Sequence, residues 1–79
     1  MPNLLQVEGF RFFFYSSERN EPPHVHVERA EAEAKFWLDP LRLAYSHRMS
    51  PRELRRLREL VFQHQALYKE RWHEHFPGK

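Results

Sequence analysis

The chain contains no cysteine. Neither a disulfide framework nor a thiolate zinc site is available to staple its 79 residues, and a reducing cytoplasm fits that composition. It also lacks a long apolar run. The first ten residues, MPNLLQVEGF, show no basic segment followed by a hydrophobic stretch. The most apolar stretch, FRFFFY, contains an arginine and is far shorter than the roughly 20 residues that cross a bilayer. A soluble, unprocessed cytoplasmic protein with no membrane association is the expectation. No flexible linker, internal repeat or low-complexity tract interrupts the chain, so residues 1–79 read as a single domain. A chain of this length buries only roughly 60–65% of the surface its unfolded form exposes. Its stability margin is small, and a partner could matter.

What the sequence does have is charge and rings. Thirteen Lys and Arg, 11 Asp and Glu and six His leave a formal net charge of +2, so the placement of charge matters more than its sum. Seven Phe, three Tyr and two Trp are many for one small core. Either the core is simply aromatic-rich, or some ring surface faces a partner, as interfaces and base-stacking platforms favour.

Residues 3–17, NLLQVEGFRFFFYSS, read as two strands joined at Glu8-Gly9, where glycine supplies the positive φ of a tight hairpin. The loop ERNEPP follows, and HVHVERA resumes as a third strand, with Pro22 and Pro23 marking its entrance or an exposed edge. AEAKFWL makes a fourth, ended by Asp39-Pro40. Ser50-Pro51-Arg52-Glu53 is a capping box with proline at the first helical position. From it, Leu54, Leu57, Val61, His64, Tyr68, Trp72 and His75 recur at helical spacing until Pro77-Gly78. The expected architecture is α+β: a small antiparallel sheet of about four strands within residues 3–47, packed on one long C-terminal helix over about residues 50–75.

Side chains alternate across a strand, so parity sorts the sheet into two faces. Val25 and Val27, with Phe10, Phe12, Phe14, Phe36 and Leu38, form the better core set. That leaves Arg11, Phe13, Tyr15, His24, His26, Lys35 and Trp37 on the outer face. Rings that stack on bases, cations that neutralise phosphate and imidazoles that titrate near neutrality suit single-stranded RNA. Cleavage beside a 2′-hydroxyl needs a base, an acid and a cation but no metal. His24 and His26 are therefore candidate proton carriers, Arg11 and Lys35 candidate cations, and Tyr15, Phe13 and Trp37 candidate ring surfaces. No cofactor enters this scheme. The same face could instead lie against a protein partner with both histidines hydrogen-bonded. A third reading is a metal site made of His24, His26 and one of His73 or His75; residues two apart on a helix diverge by about 200°, so those two do not both face one ion.

Arg48, Arg52, Arg55, Arg56 and Arg58 crowd the helix start while Glu70 and Glu74 lie near its end, against the preference of the helix dipole. An anionic partner, nucleic acid or acidic protein, is one reason for that arrangement. A solvated face, with Glu53 and Glu59 compensating from neighbouring turns, is the other.

Gly9-Phe10-Arg11-Phe12-Phe13-Phe14-Tyr15, Pro22-Pro23-His24-Val25-His26-Val27, Ala34-Lys35-Phe36-Trp37-Leu38 and Glu53-Leu54 together resemble the bacterial family of small proteins known as domain of unknown function 4160 (DUF4160). The resemblance covers nearly the whole chain. It implies the toxin half of a bacterial toxin–antitoxin pair with a cognate small antitoxin protein as partner. Action on RNA or the translation machinery, with metal-independent cleavage as one means, is the expectation that the outer-face residues add, and self-association is also open. It carries no residue roles. The candidate sites therefore rest on the residues alone.

Overall fold

In the computed structural model, residues 3–18 and 20–77 are described. Five strands form one antiparallel sheet in sequence order: β1 (Asn3–Val7), β2 (Phe10–Phe13), β3 (His24–Arg29), β4 (Ala32–Leu38) and β5 (Leu41–His47). Each strand pairs with its neighbour in sequence, because every connection except the one before β3 is a turn too short to reach elsewhere. Glu8 and Gly9, at φ 54° and 82°, make the first hairpin with both central residues left-handed. The two-residue turn after β3 carries Ala30 at φ 53°, and a cis Asp39-Pro40 peptide connects β4 to β5. The longer connection, residues 14–23, contains a short 3₁₀ turn at Ser16–Glu18.

Two corrections to the expected architecture follow. The stretch LRLAYSH, assigned no element from sequence, is a fifth strand along the outer edge of β4. A bulge at the β4–β5 pairing breaks the parity of the strand: Leu43 lies opposite Phe36, but Tyr45 lies opposite Lys35. The single long helix is also two, α1 (Pro51–Gln63) and α2 (Gln65–His75), divided at His64. The His64 ring donates from Nδ1 to the Leu60 carbonyl at 2.9 Å, which also accepts from the His64 N–H at 3.1 Å, so one carbonyl serves two donors at the junction. Gln65 Nε2 donates to the Leu38 carbonyl, tying the junction to the end of β4.

The capping box forms as its residues require: Glu53 N–H donates to Ser50 Oγ at 3.0 Å, and Ser50 N–H donates back to Glu53 Oε1 at 2.9 Å, with Pro51 opening the helix. α2 ends with Phe76 as its cap; Gly78, expected to close the helix, lies outside the described residues.

The helices cover one face of the sheet. Phe10, Phe12, Val25, Val27, Ala34, Phe36 and Leu38 meet Leu57, Leu60, Val61 and Tyr68 in the main core. Phe14, Trp72 and Phe76 form a satellite cluster at the end of the sheet. The even-numbered phenylalanines of β2 and its extension, and the odd-numbered valines of β3, thus take the core, as alternation demands. Among the described residues, no helix is long and apolar enough to cross a membrane.

Candidate functional site

β3 is the central strand, so its non-core side chains emerge in the middle of the far face. His24 pairs across to Trp37 and His26 to Lys35, while Phe13 lies opposite His26 on the other side. The seven residues assigned to the outer face by parity do gather there. Their exposure departs from the sequence reading, however: His24 is 0% and His26 6% exposed. The cover is the protein's own loop 14–23 rather than a partner.

That loop brings down an acidic residue to which the sequence reading gave no role. Glu18 Oε1 lies 2.7 Å from His26 Nε2 and 2.8 Å from His24 Nε2. His24 Nδ1 lies 2.9 Å from the Pro22 carbonyl. Pro22 and Pro23 stiffen the return into β3, which holds that carbonyl beside the first residue of the strand. The loop's second carboxylate, Glu21, takes Lys35 Nζ at 2.5 Å. Arg11 is held by Glu28 through Nε at 2.9 Å and a second guanidinium nitrogen at 2.6 Å.

Rings wall the cluster. Phe13 stacks on His26 with centroids 5.5 Å apart, and Tyr15 meets its edge at 4.8 Å. Trp37 and, from α2, Trp72 lie 5.6 and 4.8 Å from His24. Arg11 sits 4.2 Å above the Phe13 ring and Lys35 4.4 Å above Trp37. Both cations are therefore engaged by a carboxylate and a ring at once.

The acceptor inventory constrains the protons. A carboxylate only accepts, and a carbonyl only accepts. His26 donates to Glu18 through Nε2. His24 faces oxygen at both nitrogens, so once Nδ1 donates to Pro22, either a further proton or a cation must lie between Nε2 and Glu18. Burial pulls the His26 imidazole below its ordinary value, against the opposing hydrogen bond and charge of Glu18. For Glu18 burial pushes upward, but the hydrogen bonds and charge of the two histidines prevail and hold its carboxyl below the usual range.

A second region takes shape at the other edge. α1 and β5 enclose an open groove of about 320 Å³ lined by Phe36, Leu43, Pro51, Leu54, Arg55 and Arg58. At 100° per residue, positions 51, 54, 55, 58 and 62 span only about 100° of the helix, so Phe62, 68% exposed, continues the same stripe. β5 pairs on one side only. The arginines named from sequence divide here. Arg48 pairs with Glu31, and Arg56 with Glu8 and Glu59, whereas Arg52, Arg55 and Arg58 have no ion-pair partner among the described residues. Sequence reasoning missed the groove because it assigned no strand to residues 41–47, although an aromatic at 62 in line with two arginines was a visible signal.

The chain belongs to the family described as Domain of unknown function (DUF4160), which matches residues 9–73. No curated protein and no solved structure matches it.

Proposed function

We propose that this protein works by docking an acidic protein partner in the groove between β5 and α1, as the toxin half of a toxin–antitoxin pair docks its antitoxin. The observation that carries the reading is the combination of an apolar floor, Phe36, Leu43 and Leu54, with Arg55 and Arg58 unpaired at its rim. With no carboxylate paired to either arginine among the described residues, the rim is positive and attracts an anionic segment. Exposed Phe62 and the unpaired edge of β5 extend the surface, the edge offering main-chain hydrogen bonds to an incoming strand. The occupant that fits is a segment carrying apolar side chains flanked by Asp or Glu.

The test is whether a small acidic protein is encoded beside this one and, where it is, co-expression of the two; an isolated gene removes the pairing. Arg55→Glu/Arg58→Glu should weaken the complex by at least about tenfold while leaving the fold intact, and added salt should weaken the wild-type complex. An affinity unchanged by the double variant, or unchanged in high salt, removes the groove as the docking surface.

Action on RNA or the translation machinery is the second reading for the toxin's target. It is favoured by Tyr15 and Tyr45, 42% and 45% exposed on the same face as the covered histidines. Metal-independent cleavage by His24 and His26 predicts that His24→Ala/His26→Ala abolishes growth inhibition; a folded double variant as toxic as wild type ends that mechanism.

A further inference from the structure

We propose that Glu18, His24 and His26 form a binding site for one divalent transition-metal ion of the zinc class. The ligand atoms would be His24 Nε2, His26 Nε2 and a carboxylate oxygen of Glu18, which lie within 4.8 Å of one another. Solvent would supply the fourth ligand from the loop side, where the Glu18 side chain is 18% exposed.

Four features support this beyond proximity. His24 is oriented as a metal ligand is: its Nδ1–H is anchored on the Pro22 carbonyl, so the lone pair of Nε2 is aimed into the cluster. On a neutral His24 ring that lone pair would meet a carboxylate oxygen already accepting from His26; a cation relieves the arrangement, as a second proton on the ring does. The donors, two imidazoles and one carboxylate, suit zinc and its neighbours rather than calcium or magnesium, which take oxygen. Finally, the two histidines are sealed among Phe13, Trp37 and Trp72, and low-dielectric walls strengthen ion–ligand attraction.

Ligands on a tetrahedral ion with bonds of about 2.0–2.1 Å are about 3.3 Å apart. The Glu18 contacts, now 2.7 and 2.8 Å, must open by about half an ångström, and the two imidazole nitrogens, within a cluster 4.8 Å across, must close toward each other. Glu18 sits on the loop and can recede, and the imidazoles can turn about their side-chain bonds while β3 keeps its register. The third ligand expected from sequence, His73 or His75, is replaced by this carboxylate. The site lies on the opposite face of the sheet from the groove, so it stands or falls independently of partner docking.

The test uses the full chain purified without an affinity tag, stripped with chelator and titrated with Zn²⁺ by calorimetry. One equivalent should bind with micromolar or tighter affinity, and the melting temperature should rise. Glu18→Gln and His26→Ala should each weaken binding by at least about tenfold, the scale on which even supporting residues act. His73→Ala/His75→Ala should not. No uptake by the wild type, or uptake lost only in the His73/His75 variant, overturns the site. Because substitution of a buried histidine could unfold the chain, the wild type also decides the matter directly: the ring ¹⁵N signals of His24 and His26 must shift at one equivalent of Zn²⁺, and if they stay in place the proposal fails.

Discussion

β3 and β5 belong to the same sheet and are separated by one strand, yet their side chains meet opposite fates. His24 is polar and fully covered, while Leu43 is apolar and 36% exposed. Hydropathy predicts the reverse for both. The covered side is closed by loop 14–23, whose carboxylates satisfy the imidazoles and Lys35 it hides. The open side has no such loop, because β5 is the last strand and α1 begins only four residues beyond it. Buried polar groups are retained where their hydrogen bonds are supplied locally, and apolar groups remain exposed where the chain has no further element to lay over them.

The largest way to break this contrast is at the ring that closes the covered side from below. Trp72→Ala removes the indole packed 4.8 Å from His24 and 5.3 Å from Phe14, and should cost about 3–5 kcal/mol. Phe62→Ala, an equally drastic deletion on the open stripe, should change stability by less than about 0.5 kcal/mol. Denaturant titration of both variants checks the pair, and similar losses would erase the distinction between the two regions.

Next in size is the loop carboxylate. In metal-free protein, Glu18→Ala leaves the buried His26 Nε2–H without its acceptor and should cost about 1–3 kcal/mol. Removing the cap on the open side is milder: Ser50→Ala should cost about 1 kcal/mol, because it strands one exposed helix-end N–H that water can partly satisfy. Equal losses at the two positions would mean that Glu18 is hydrated rather than sealed.

Acid gives the finest probe. The His26 imidazole titrates below 6.5 in the folded chain, so in metal-free protein the unfolded state binds the proton first as pH falls below that value. Stability should therefore decline progressively from about pH 6.5 downward. Glu18, also depressed, extends the decline below about 4.5. His26→Gln should flatten the upper part of that curve, as followed by melting temperature against pH.

Much of this was legible in the chain. The Glu8-Gly9 hairpin, the Ser50–Glu53 box and the parity of Val25 against His24 are local rules, each set by residues within a few positions of one another. The arginine-rich start of α1 was legible too, but not that Arg56 reaches Glu8 while Arg55 and Arg58 are left at the groove, since that pairing spans 48 residues of sequence. The carboxylate of the candidate metal site was hidden for a similar reason: ERNEPP looks like a connection, and nothing in its composition says that Glu18 folds back over the strand it precedes. β5 itself was legible in the alternation of Leu41, Leu43 and Tyr45, but the bulge that puts Leu43 and Tyr45 on opposite faces was not.

By itself, then, the sequence determined which side chains of β2, β3 and β4 share a face, where the hairpin turns and where the helical region begins, because backbone sterics and hydrogen-bond periodicity act over a few residues. Only the tertiary structure decided that the imidazole pair is roofed by its own loop, that the helix divides at His64, and that an arginine-rimmed groove stays open beside β5. Those outcomes depend on which distant groups arrive at the same place, and that is settled by packing the whole chain.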